Sequence, residues 1–303
     1  MKTTPCNRPA RVDVYARVTD RIIADLQAGV RPWTKPWRGG DAGSRITRPL
    51  RFNGVPYRGV NVLLLWCDMI DKGFVSPVWM TYRQAQELGG QVRKAETGSL
   101  VVYASRVTAE ETNEAGESVE REIPFLKGYT VFNVDQIDGL PEQYAPCPAQ
   151  VLEPVPLIDA AESFFARTGA MIRHGGNQAF YDTRRDCIQL PAPADFDDVH
   201  SYESTKGHEI VHWSGSTSRL ARTFGKRFGD EAYAFEELVA ELGAAFLCAD
   251  LGLSLEPRDD HAAYLGHWLT VLQGDKRAIF TAATHAQRAD DYLHQLQEDS
   301  AEA

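Results

Sequence analysis

Val14, Val18, Ile22 and Leu26 recur every four residues and stop at Gly29, a pattern that predicts an amphipathic helix opening the chain. The apolar stretch Asn61 to Ile70 predicts a second, mostly buried helix ending near Gly73. Thr81 and Gln84 have the spacing of a capping box, so a short helix is expected from there to Gly89-Gly90. Leu100 to Val107 and Phe125 to Val134, rich in Val, Tyr and Phe, predict strands. The acidic stretch Glu110 to Glu122 between them reads as an exposed hairpin loop. Further on, Ile158 to Arg167 reads as a helix, and Met171 to Arg173 and Ala179 to Leu190 as strands, the second a hairpin folded at Thr183-Arg184-Arg185-Asp186. From His200 the periodicity is helical, over 203–214, 231–251, 260–273 and 275–297.

Pro141, Pro146, Pro148, Pro154 and Pro156 fall within sixteen residues, and this stretch reads as a linker. The expected organisation is α+β: a small α+β domain over 1–140, the linker over 141–156, and a mainly helical domain with a small sheet over 157–303. Such a linker makes relative motion of the halves the default expectation. No internal repeat is visible.

Charge sharpens this division. Residues 1–100 hold 16 Lys and Arg against 8 Asp and Glu, whereas residues 151–303 hold 13 against 25. A basic front suits a polyanion and an acidic back does not. No apolar run approaches the roughly 20 residues that cross a bilayer, so no membrane partner is expected. Met1 to Ala10 has no apolar segment of signal-peptide type. The five cysteines are scattered and form no CxxC pair, which argues against a disulfide framework or a thiolate zinc site. A reducing cytoplasm is the expected compartment.

The segment Gly207-His-Glu-Ile-Val-His-Trp213 contains HExxH. On a helix, His208 and His212 lie on one face, so both imidazoles can reach one ion, leaving room for a third ligand and a water. Glu209 is placed to take a proton from water activated at the metal. The third ligand is expected from Phe235-Glu-Glu-Leu-Val-Ala-Glu-Leu242, where three carboxylates stand in an otherwise apolar helix. Carboxylates are costly to bury unless paired or metal-bound, and Glu237 and Glu241 share a face at i,i+4. Glu236, Glu237 and Glu241 are all candidates on this ground. The layout resembles the gluzincin pattern of HExxH followed by ExxxD. That resemblance implies Glu237 as the ligand and Glu241 as the residue holding a ligand imidazole by its other nitrogen. The ion expected is a single divalent metal, zinc by type of site, with manganese or cobalt as alternatives. Tyr264 and His267 are candidate oxyanion donors, but fit better as ordinary polar residues on a helix face.

Four of the six tryptophans fall in the first 80 residues. Trp33 and Trp37 sit in an extended Pro-rich segment beside Arg31, Lys35 and Arg38; Tyr57-Arg58, Tyr82-Arg83 and Arg93-Lys94 follow. Aromatic faces interleaved with cations suit single-stranded nucleic acid, whose bases stack and whose phosphates need counter-charge. The candidate DNA-binding residues are therefore Trp33, Lys35, Trp37, Arg38, Tyr57, Arg58, Tyr82, Arg83, Arg93 and Lys94. Trp66 and Trp79 read as core.

Taken together, PWxxPW (Pro32 to Trp37), Asn53-Gly-Val-Pro-Tyr-Arg-Gly-Val-Asn61, Trp79-Met-Thr-Tyr-Arg-Gln-Ala85, Val131-Phe-Asn-Val-Asp-Gln136, HEIVHW and EELVAEL form a specific set. The chain resembles the ArdC-type antirestriction proteins of conjugative plasmids over nearly its whole length, and is also similar to the N-terminal part of some plasmid primases. The resemblance implies an N-terminal domain that binds single-stranded DNA and a C-terminal zincin-like metallopeptidase domain. It also implies protection of incoming conjugative DNA from host restriction, with a host restriction-system protein as a possible substrate. The alternative is a non-catalytic DNA-binding shield, or a replication accessory, with a structural metal.

Overall fold

The first helix, α1 (Val14–Gln27), forms where the four-residue periodicity places it. Asp13 caps it, its carboxylate accepting from the Tyr15 N–H at 2.9 Å, and Val18, Ile22 and Leu26 are almost fully buried. The computed structural model describes residues 13–31, 33, 47–112, 118–144, 154–222, 231–253 and 261–301. The second helix, α2 (Val60–Lys72), ends on Gly73, whose φ of +68° is the left-handed conformation that closes a helix without a Cβ clash. The short α3 (Tyr82–Glu87) starts on the predicted capping box, with the Thr81 hydroxyl accepting from the Gln84 N–H and the Gln84 side chain accepting from the Thr81 N–H.

Two long strands, β4 (Ser99–Thr112) and β5 (Ser118–Asn133), pair antiparallel from Ser99 opposite Val131 to Thr112 opposite Ser118. Most of the stretch read as an acidic loop is therefore strand, and 113–117 lie outside the described residues. The backbone ladder continues through this stretch, helped by extended-favouring residue types such as Thr108, Val119 and Ile123. Two short strands that periodicity does not reveal, β1 (Leu50–Arg51) and β2 (Val78–Met80), complete a sheet of order β1-β2-β5-β4. A separate pair joins β3 (Gln91–Val92) to β6 (Ile137–Asp138).

The C-terminal half opens with α4 (Pro154–Arg167), which starts inside the stretch read as linker. Proline suits a first turn, where its missing N–H has no partner to lose. Residues 145–153 lie outside the described residues. Then come β7 (Met171–His174), β8 (Phe180–Asp182) and β9 (Cys187–Leu190), ordered β7-β9-β8, with the predicted turn between β8 and β9. Four helices follow: α5 (Val199–Ser214), α6 (Glu231–Leu251), α7 (His261–Gly274) and α8 (Ala278–Ala301). No helix among the described residues is long and apolar enough to cross a membrane. The architecture is α+β.

Instead of two bodies free to move, the halves share one continuous apolar cluster. The apolar faces of α1 and α2 are covered by α7 and α8. The Tyr15 ring meets Phe280 at 4.7 Å, Trp66 meets Phe246 at 6.0 Å, and the Thr19 hydroxyl donates to the Lys276 carbonyl at 2.6 Å. Arg48, buried in this seam, forks onto Asp250 (2.9 and 3.0 Å) and reaches Asp290 at 2.6 Å.

A candidate metal centre and a candidate nucleic-acid face

α5 carries the HExxH residues and is buried from Tyr202 to Ser214. Its N-terminus is capped by Asp198, which accepts from the Ser201 N–H at 2.8 Å. Across from it α6 has Gly243 at the contact, where a Cβ would fall 2.8 Å from both Val211 methyls. The missing side chain lets the two helices approach closely enough for α6 carboxylates to meet α5 imidazoles.

The meeting is tight. The Nε2 atoms of His208 and His212 are 3.1 Å apart, and the Glu237 carboxylate oxygens lie 3.5 Å from each of them. All three side chains are buried. A tetrahedral ion with bonds of about 2.0–2.1 Å keeps its ligands about 3.4 Å apart; with Glu237 Oε2 beside His208 and Oε1 beside His212, the two nitrogens and the carboxylate are spaced to share such an ion. Of the three carboxylates left open by sequence, Glu237 is the one brought to both Nε2 atoms. Glu209, also buried, follows His208 on the same helix.

The other two carboxylates face the Nδ1 sides. Glu236 lies 3.3 Å from His212 Nδ1 and accepts two-pronged bonds from Arg222, the nearest at 2.8 Å. Arg222 also donates to the Val211 carbonyl and the Ser214 hydroxyl, tying the end of α5 to α6. Glu241 sits 3.7 Å from His208 Nδ1 and accepts from the Trp33 indole N–H at 3.2 Å. Neither Arg222 nor the Glu236 contact was legible in sequence, since Arg222 precedes α6 with no spacing signal. Tyr233 was missed too: its hydroxyl is 3.2 Å from that of Tyr264. Burial, the Tyr264 hydroxyl and the Glu237 carboxylate hold the Tyr233 phenol well above its ordinary pKa, so it stays a donor.

Burial pushes the His212 pKa down, but the Glu237 and Glu236 carboxylates push it up further, to about 10. Burial raises Glu237, but the charge of His212 and hydrogen bonding with both imidazoles overcome this and hold it well below the usual carboxylate range. A proton on His212 and a cation held by the same side chains would therefore compete.

The predicted nucleic-acid residues divide. Lys35, Trp37 and Arg38 lie outside the described residues. Trp33 is fully buried against Trp268, and Tyr57 is 8% exposed beneath Arg51, so neither presents a ring to a base. These two expectations are corrected: both rings are core. Arg58 is exposed and paired with Asp291; Arg83 is exposed and paired with Glu87; Arg93 is held by Glu96 and Asp138. Tyr82 and Lys94 are exposed. A further group was missed. Tyr103, Phe125 and Tyr129 are exposed on the paired strands β4 and β5, and Tyr103 stands opposite Lys127. Phe125, Lys127 and Tyr129 alternate along β5 and so share a face, with the Lys127 ammonium 5.0 Å from the Tyr129 ring centre. Their i, i+2, i+4 spacing was the available signal.

The chain is similar to known proteins in both of its halves. Residues 12–132 match a family model described as the N-terminal domain of anti-restriction factor ArdC, and residues 159–285 match one described as a zincin-like metallopeptidase. A protein of Sinorhizobium fredii (strain NBRC 101917 / NGR234), named y4eC, is 43% identical, with 98% of this chain and 97% of that protein covered. A DNA primase TraC of Escherichia coli is 38% identical over 92% of this chain, which spans 27% of that primase. The metal-free crystal structure of the antirestriction protein ArdC from plasmid R388 is 47% identical, covering 95% of this chain and 98% of that one, with a TM-score of 0.80. Its Mn(II)-bound form, with 94% and 98% covered, gives 0.76 at the same identity. With both halves matched in order and almost the whole length covered, the chain belongs to the ArdC antirestriction family.

Proposed function

We propose that this protein binds incoming single-stranded DNA through its N-terminal half and carries a metal-dependent peptidase site in its C-terminal half. Together these protect conjugative DNA from restriction in the recipient cytoplasm. The observation that carries the peptidase reading is the triangle of His208, His212 and Glu237. A divalent cation held there would supply Lewis acidity toward a carbonyl and bring the pKa of water towards about 7. The two-nitrogen, one-oxygen donor set suits zinc, and the Mn(II)-bound relative supports manganese as an alternative. Glu236 meets the Nδ1 of His212 at 3.3 Å and Glu241 lies 3.7 Å from that of His208, while both Nε2 atoms face Glu237. Glu209 accepts a proton from water and returns it to the leaving amine. The exposed face of Tyr103, Phe125, Lys127 and Tyr129 supports contact with single strands by stacking and counter-charge. The buried thiols Cys67, Cys187 and Cys248, all free, support a reducing compartment.

A second reading is a DNA-binding shield with a metal that only braces the fold. The burial of the ligand set favours it, since His208, Glu209, His212 and Glu237 are each at most 8% exposed. Glu209→Gln separates the two. We expect the variant to bind single strands with wild-type affinity and salt dependence but to lose protection in a conjugation assay. Full protection by the variant would discard the peptidase reading in favour of the shield.

A further inference from the structure

Trp33 comes from the N-terminal half, 208 residues before its hydrogen-bond partner, yet it is 0% exposed and lies inside the C-terminal half. Its indole N–H donates to one oxygen of Glu241 at 3.2 Å, and the other oxygen of that carboxylate faces His208 Nδ1 at 3.7 Å. A carboxylate pinned at one oxygen presents the other in a fixed direction, and an imidazole is oriented by what its second nitrogen meets. The same indole packs edge-on against Trp268 at 6.0 Å, and Trp268 stacks on Tyr264, whose hydroxyl meets Tyr233 beside Glu237. One side chain of the N-terminal half thus reaches the ligand set by two routes.

We propose that Trp33 is a positioning residue of the metal centre, so that the N-terminal half completes a site whose ligands all lie in the C-terminal half. The inference rests on the metal reading above. It makes the centre a property of the joined halves: whatever displaces Trp33 loosens Glu241 and, through it, His208.

The test uses the full chain stripped of metal and titrated calorimetrically with Mn²⁺ and, against a competing chelator, Zn²⁺. Wild type is compared with Trp33→Phe, Glu241→Gln and the double variant. Outer partners of ligand histidines typically change affinity by about 10–100-fold, so we expect Trp33→Phe to weaken binding by about 10-fold and Glu241→Gln by at least as much. Because Trp33→Phe removes the N–H that reaches Glu241 but keeps an aromatic ring against Trp268, the double variant should bind no more weakly than Glu241→Gln alone. A purely structural Trp33 would lower the urea midpoint of the metal-free protein and leave ion affinity unchanged. Wild-type affinity in Trp33→Phe, or losses that add in the double variant, overturns the inference. Should Trp33→Phe fail to fold, 3-benzothienylalanine at position 33 keeps the shape of the indole without its N–H, and the same comparison decides. If wild type itself binds neither ion, the metal reading fails, which is a different result from wild type binding and the variants matching it.

Discussion

The behaviour of single residues in this molecule is governed by who faces whom around two imidazoles. His212 is the residue with the clearest consequence. Its pKa is raised above the ordinary 6.5, to about 10, by Glu237 and Glu236 acting against burial. A raised imidazole pKa stabilises the metal-free fold fully below about 6.5, and that contribution disappears as the pH rises through about 10. A cation must displace the same proton. Metal affinity is therefore expected to climb with pH between about 6.5 and 10, and binding near neutrality to release close to one proton from His212. Calorimetry in buffers of different ionisation enthalpy measures this directly; a flat pH profile without proton release would contradict it. At this scale sequence was informative about which residues matter and less so about their partners. HExxH singled out His208, Glu209 and His212, and carboxylates in an apolar run marked the helix that faces them. The allocation of Glu236 to one imidazole and Glu241 to the other depends on helix rotation, which i,i+4 spacing alone does not determine. Trp33 and Tyr57 were misjudged because a ring beside cations has the same sequence signature whether it faces a base or the core.

Between elements, the decisive contact is α5 on α6. The approach rests on Gly243, against which Val211 packs with no room for a Cβ. Gly243→Ala puts a methyl 2.8 Å from two Val211 methyls and must push the helices apart. Overpacking of this kind costs about 1–3 kcal/mol, partly offset by the better helix propensity of alanine. We expect a lower urea midpoint together with weaker metal binding, because the Glu237-to-imidazole distances open with the helices. A variant with unchanged stability and unchanged affinity would show that the contact is soft. The helices themselves were readable from periodicity and caps, and α5 differs from expectation only in starting earlier, at Val199 behind the Asp198 cap. The strands were less so. β1 and β2 are two and three residues long, too short for any alternation, and β4 and β5 extend through an acidic stretch because ladder hydrogen bonds do not require apolar side chains.

For the whole molecule, the shared cluster predicts cooperative behaviour. Denaturation followed by tryptophan fluorescence and by circular dichroism should give one coincident transition, since Trp33, Trp66 and Trp268 all lie in the seam joining the halves. Two separated transitions would mean the halves are stable alone. Proline density made a linker legible in the sequence, but not the packing of what it joins, because the C-terminal helices that meet α1 and α2, α7 and α8, lie more than 200 residues away along the chain.

The geometry of α6 carries one mechanical consequence. Polar side chains of the N-terminal half hold this helix at two points, Trp33 at Glu241 and Arg48 at Asp250. Nine residues separate them, about 13.5 Å along a rod that is stiff to stretching. A rod held at one point can still swivel about it; held at two, with the attachments at different angles around its axis, it can neither slide nor rotate independently. The screw setting of α6, and with it the direction in which Glu237 points, is therefore fixed from outside the helix by a distant part of the chain.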